Sequence, residues 1–307
     1  MPILHANMQA DLREASRLDQ GLRVSLIDMA SIRQVPGGAL DYLGTVNGAL
    51  SDTGLVRFWE GGGADTFALT LAEDTTQAET AIVDSSVAVA VVRHALVRNI
   101  GDLADLTGSA GDISPESLAA DAVLGNERTF TNSFMTALAT AATDVGTSGS
   151  DMVHDDFADA LYTLEIADNP SGPVFCALAG RSLADWQESL RAEGGALHLL
   201  PATGDMLRFK GQGFAGEMLG VQVWKFSHVV DDTTDFQNGM WTAGAFGYKI
   251  GIPNNPRGGS AVAVRMDELM VEYQRDADQA LTKIAANSWY GVSLLEQARV
   301  VGIVTDN

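Results

Sequence analysis

The residue pattern with the sharpest chemical meaning is Gly211-Gln212-Gly213-Phe214-Ala215-Gly216, a G-x-G-x-x-G run with Asp231 twenty residues beyond its first glycine. In a dinucleotide site the third glycine opens a helix whose N-terminal N–H groups hold the pyrophosphate. Here Glu217-Met218-Leu219-Gly220 runs into Val221-Gln222-Val223, a turn into a strand, so the helix that makes the cradle is missing. Ser182 follows an apolar run and precedes a helix, the place of a hydrolase nucleophile, but the glycine required two residues later is Ala184. Ser182 reads instead as a helix cap, with Asp185 three residues on. Cys176, the only cysteine, lies inside the apolar run Val174 to Leu178, where a buried, inert thiol is expected. The histidines (His5, His94, His154, His198, His228) are scattered and form no H-E-x-x-H pair. Two acidic clusters, Asp151/Asp155/Asp156 and Asp231/Asp232/Asp235, could face a calcium ion, but neither has EF-hand spacing and both read as solvated loops. No catalytic residue, cofactor-binding residue or metal ligand stands out. The expectation is a protein that is not an enzyme and carries no cofactor.

Composition narrows the classes further. The 307 residues carry 40 acids against 19 bases, a formal charge of −21. Only Lys210, Lys225, Lys249 and Lys283 are lysines, and no basic run exists. Such a surface repels phosphate, which argues against sequence-specific nucleic-acid binding. At 46% hydrophobic the chain can build a substantial core. A single cysteine rules out an internal disulfide framework and suits a reducing compartment. No signal segment and no bilayer-length apolar run is present, so no membrane partner is expected.

The elements that must hold these residues centre on 114–145. Ser114-Pro115-Glu116 opens a helix with a hydroxyl cap, a proline at the first position and a carboxylate at the positive end of the dipole. Val123, Phe130, Phe134, Leu138, Ala141 and Val145 then recur at helical steps, Gly125 marks a place for a bend, and Gly146 stops the run. The narrow stripe predicts a strut across a sheet.

Before it, residues 1–50 read as a loose arm with a short helix at 8–18 and a short strand at 24–27, broken by Pro36-Gly37-Gly38. Residues 51–92 read as a long hairpin. A strand at 55–59 and a glycine turn precede 66–72, where Phe67, Leu69 and Leu71 alternate with threonine and alanine. Further strands at 80–83 and through Val87, Val89 and Val91 follow. A hairpin with one apolar side needs cover, either from its own domain or from another subunit.

After the strut come a helix through Val153, Phe157, Leu161 and Leu164, a buried strand at 174–178, and a helix with core face Leu183, Trp186 and Leu190. Strands dominate from Leu207, at 207–210, 220–226, 241–252, 262–271, 292–294 and 300–304, with a helix at 275–286. Strands and helices that do not alternate one to one predict an α+β fold.

The order of these parts resembles the major capsid protein of tailed bacteriophages, the Hong Kong 97-type fold. The residues that carry the likeness are 173–190 (PVFCALAGRSLADWQESL), 216–227 (GEMLGVQVWKFS), and 287–304 with Trp289-Tyr290-Gly291-Val292. The resemblance implies an N-terminal arm (1–50), an extended loop (51–92), a peripheral domain with a spine helix (93–150), an axial domain (151–235) and a return to the peripheral domain (236–307). It implies a subunit that forms hexamers and pentamers of an icosahedral shell around double-stranded DNA, assembled in a bacterial cytoplasm, with scaffolding, portal and decoration proteins as further partners. The extended loop would touch neighbouring subunits through Arg57, Trp59, Phe67, Leu69 and Leu71. High acidity predicts assembly sensitive to salt. Some members of the family cross-link through a loop lysine, but 51–92 contains no lysine and no such bond is expected. With Met1 just before the arm, scaffolding is expected to be separate or unnecessary. Encapsulin-like and gene-transfer-agent shells share the implied fold. The alternative from another class is a soluble α+β enzyme using Gly211 to Gly216 or the Asp231 cluster, with residues 55–72 folded back.

Overall fold

The computed structural model describes residues 32–35, 38–47, 53–60, 83–101, 115–167, 172–192, 200–201, 213–252, 262–266, 269–276 and 281–306. The elements expected at 8–18, 24–27, 66–72 and 207–210 lie outside the described residues. In chain order, strands β1 (Asp41–Asn47), β2 (Thr53–Glu60), β3 (Val83–Ala90) and β4 (Val92–Gly101) precede helix α1 (Pro115–Leu138). Next come β5 (Asp144–Gly146), α2 (His154–Ile166), β6 (Val174–Leu178), α3 (Gly180–Ala192), β7 (Leu200–Pro201), β8 (Phe214–Met218), β9 (Val221–Lys225) and β10 (Val230–Asp231). The chain closes with β11 (Asp235–Thr242), β12 (Phe246–Ile252), β13 (Val262–Met266), β14 (Leu269–Asp276), β15 (Leu281–Leu294) and β16 (Val300–Asp306).

The fold is α+β. A six-stranded sheet runs β1-β12-β15-β14-β13, with β4 also paired to β15; an eight-stranded sheet runs β5-β16-β11-β6-β9-β8-β7, with β10 on β11. The run at β6 is unbroken because both its faces are covered. Phe175 and Ala177 point into a core shared with α1, while Cys176 and Leu178 point into a second core built by α2 and α3. In that second core Phe157 stacks on Trp186 with ring centroids 4.7 Å apart.

Helix α1 joins the two sheets. Ala122 and Val123 near its start pack with Leu269, Val271, Ile284 and Ala286 of the six-stranded sheet. Phe130, Phe134, Met135 and Leu138 near its end pack among Phe175, Trp241, Phe246 and Tyr290. Phe134 lies 5.2 Å from Trp241 and 4.8 Å from Phe246 between ring centroids, and Phe130 meets Tyr290 edge-on at 4.8 Å. The 24 residues span about 36 Å at 1.5 Å per residue.

Four expectations change. The helix ends at Leu138 rather than near 145. Thr140 and Ala141 donate to carbonyls three residues back, tightening the last turn, and Val145 joins the helical count by spacing alone. It sits in β5, registered beside Ile303 of β16, with its side chain on the second core. Gly125 does not break α1. Leu96 of β4 packs so close to it that a Cβ there would overlap the leucine's side chain. The stretch 241–252 is two strands, because Gly244, at φ +84°, turns the chain between β11 and β12. Of the helix expected at 275–286, the described residues 275–276 and 281–286 belong to strands β14 and β15. Its Ala, Lys and Asp composition suits a helix, but Ile284 and Ala286 are buried at period two against α1, and sheet pairing on both edges overrides propensity.

Candidate subunit-contact surface

The hairpin of β2 and β3 stands apart from both large sheets as a two-stranded ribbon. Its register runs from Thr53 opposite Ala90 to Glu60 opposite Val83, so the partner of the first strand is 83–90. Arg57 is registered opposite Ser86 and Trp59 opposite Asp84. Phe67, Leu69 and Leu71 lie outside the described residues. Only two of the five expected contact residues are therefore placed, both on β2.

On β3 the side chains alternate, with Ser86, Ala88 and Ala90 exposed while Val87 is half-buried and Val89 buried. That alternation is what period-two geometry gives a ribbon lying with one side on a body. The body is the root of the six-stranded sheet. Tyr290 of β15 is registered with both Val92 of β4 and Ile250 of β12, so these strands take opposite edges of β15 at that point. Residues 89–91 pass over this part of the sheet, Val89 and Ala90 against Gly291 of β15 and Val91 against Gly251 of β12. The crossing works because Gly291 has no side chain; a Cβ there would collide with the Ala90 carbonyl oxygen. At the far edge Val91 comes within 2.8 Å of where a Cβ on Gly251 would lie. Sequence reasoning quoted Gly291 within its Trp-Tyr-Gly-Val run but gave it no role. A glycine in a strand is the available signal for close backbone approach.

Two groups steady this root. Arg93 donates from Nε and Nη2 to Asn287 Oδ1 at 3.0 and 2.6 Å, and Asn287 Nδ2 donates to Glu272 Oε2 at 2.9 Å, tying β4, β15 and β14 together. On the helix-facing side His94 stacks on Tyr290 at 4.1 Å. Burial there pushes the His94 pKa below its ordinary value.

The chemical candidates resolve into structural roles. Gly213 precedes β8, Gly216 lies within that strand, and β9 follows, so among the described residues the run leads into strands and opens no helix. Ser182 is not a cap; it is buried in the first turn of α3, its hydroxyl 2.8 Å from Thr305 Oγ1 and 3.1 Å from Asn238 Nδ2. Asn238 also accepts from Ala179 N–H at 2.7 Å and donates to Thr305 at 2.9 Å. This closed network locks α3 to β11 and β16, and the serine's partners in it, Thr305 and Asn238, are not bases. Cys176 is fully buried, and burial pushes its thiol pKa well above the ordinary value. In the Asp231 cluster, Asp231 accepts from Thr233 N–H, and Asp232 accepts from the N–H groups of Asp235 and Thr234, which hold its carboxyl below the usual range. Asp235 is buried and accepts from Ser148 Oγ and Gly149 N–H at 2.6 and 2.7 Å. In the other cluster Asp156 accepts from Val153 N–H at 3.0 Å, closing the start of α2. Among the described residues no three His, Cys, Asp or Glu side chains converge as a metal site, and no helix is long and apolar enough to cross a membrane.

No protein-family model and no curated protein matches the sequence. Solved structures do. The chain is similar to the capsid of the cyanophage P-SCSP1u, with a TM-score of 0.60 and 12% identity over 91% of this chain and 89% of that one. A structure from Mycobacterium phage Che8 matches with a TM-score of 0.56 and 19% identity over 82% and 84%. The holo-SrpI encapsulin complex from Synechococcus elongatus PCC 7942 matches with a TM-score of 0.58 and 16% identity over 87% and 85%. The fold is that of tailed-phage capsid proteins, which the encapsulin shares.

Proposed function

We propose that this chain is a shell subunit, the major capsid protein of a tailed phage, which associates with itself as hexamers and pentamers into an icosahedral wall around double-stranded DNA. The observation that carries this reading is the match to shell proteins over about nine-tenths of the chain in both directions. The self-paired hairpin supports it, since a two-stranded ribbon is marginal alone and gains most from covering another copy. In this reading 1–50 is the N-terminal arm, 51–92 the extended loop and 93–150 the peripheral domain with α1 as spine helix. Residues 151–235 form the axial domain. The returning segment 236–307 rejoins the peripheral domain and lends β11 and β16 to the axial sheet on its way. Arg57, Trp59, Phe67, Leu69 and Leu71 are the loop residues that touch neighbours. Such a wall encloses DNA without reading it, in keeping with the acidic composition.

The encapsulin match supports a second reading, a shell around protein cargo. Nucleic acid against protein inside purified particles separates the two. The test of the common reading is electron microscopy with light scattering on the chain alone and with its native neighbours. Closed shells, or rings of five and six, are expected. A monodisperse monomer under both conditions across a range of salt overturns it.

A further inference from the structure

We propose that Gly251, Gly291 and Arg93 form a socket that sets the direction in which the β2–β3 arm leaves the molecule, so that the arm reaches a second copy as a preset rigid element. The inference deepens the shell reading and rests on it for the arm's purpose, though not for the socket itself. The arm is registered without a break over eight residue pairs, from Thr53–Ala90 to Glu60–Val83. Stiffness along its length moves the question of its direction to the root, where a single residue, Val91, separates β3 from β4.

A root that served as a free hinge would be exposed and loosely packed. Here Val89 is 1% exposed and its Cγ1 lies 3.3 Å from where a Cβ on Gly291 would be. The Ala90 carbonyl oxygen occupies the space a side chain on Gly291 would take, and Val91 fills the matching space over Gly251. The chain is thus held at three successive residues against two neighbouring strands. Two residues further on, Arg93 fixes the start of β4 by its two-pronged bond to Asn287, itself held by Glu272. Glycine is required at both strand positions because the approaching atoms belong to backbone or to a β-branched stem, neither of which can swing aside. Rotating the arm would mean lifting Val89 and Val91 out of contact and breaking the Arg93 bonds together.

The test measures arm direction directly. Spin labels go on Ser86→Cys in the arm and Arg128→Cys on the exposed side of α1, in the full chain kept dispersed at low concentration. Buried Cys176 does not take the label. A narrow distance distribution is expected for the parent, a shifted or broadened one for Gly291→Ala, and a broadened one for Arg93→Ala and for Val89→Ala. Val89→Ala only removes atoms, so it keeps the test open if Gly291→Ala fails to fold. A broad distribution in the parent, or variants that match the parent, overturns the socket. The same folded variants are then taken through assembly. Loss of closed shells at an unchanged melting temperature supports the positioning role, and normal shells from a variant with a displaced arm overturn it. If the parent itself never assembles, the shell reading fails while the distance measurement still decides the socket.

Discussion

The eight-stranded sheet and the β2–β3 arm use the same strand chemistry to opposite ends. Strand β6 is covered on both faces, every residue after Val174 is buried, and its neighbours β11 and β9 close both edges. The arm has one partner strand, alternates exposed and buried side chains over Ser86 to Ala90 of β3, and buries Val89 where it meets the sheet. One region holds its geometry through buried side chains on both faces and a closed polar network; the other holds it through three residues at a root. Stability and reach are therefore separable here. A change in the core should cost stability without moving the arm, and a change at the root should move the arm at little cost in stability.

The largest stability effect that sharpens this contrast is expected from Trp241→Ala. Trp241 is fully buried among Phe134, Phe175 and Phe246, and its indole N–H donates to Ala39 O at 2.9 Å. The loss should be about 3–5 kcal/mol by chemical denaturation, with the arm distance in the surviving folded fraction unchanged. Asn238→Ala comes next, at about 1–3 kcal/mol, because the buried Ala179 N–H loses its acceptor. Asn238→Asp tests whether geometry alone is enough, since a carboxylate cannot donate to both hydroxyls; a stability equal to the parent would show that the network is dispensable.

A smaller effect belongs to His94. Its folded pKa lies below the ordinary 6.5 because burial against Tyr290 disfavours the charged ring. The unfolded chain then binds the proton more readily, so stability falls as pH drops from about 6.5 toward the folded value. His94→Phe should flatten that part of the stability–pH curve, and an unaltered slope would assign it to other groups. Smallest of all is Arg98→Ala. The Arg98–Asp121 pair is close at 2.6 Å but exposed, and its removal should change stability by under about 1 kcal/mol.

Much of the core could be read from the chain. Val123, Phe130, Phe134 and Leu138 declared the face of α1, and the apolar run at 174–178 declared a strand covered on both sides, because period and burial are local signals. What could not be read depends on partners distant in sequence. Val145 and the 275–286 stretch satisfied a helical pattern and became strands once β16 and β4 stood beside them. Ser182 has the position of a cap, but Asn238 and Thr305 claim its hydroxyl from 56 and 123 residues away. Of the arm, the strand at 55–59 and the alternation through Val87 and Val89 were legible, but the two strands expected at 80–83 and 87–91 are one, 83–90, paired with 53–60. The strand glycines Gly251 and Gly291 signal a close approach without saying that residues 89–91 make it.

Helix α1 carries a mechanical consequence. It gives Val123 to the core on the six-stranded sheet and Phe134 to the core where that sheet meets the eight-stranded one, so neither core can shed the helix without opening the other. Melting should then be one cooperative event, with calorimetric and van't Hoff enthalpies in agreement. A wall built from such bricks would crack along its mortar, at the seams between subunits, before any brick broke in two.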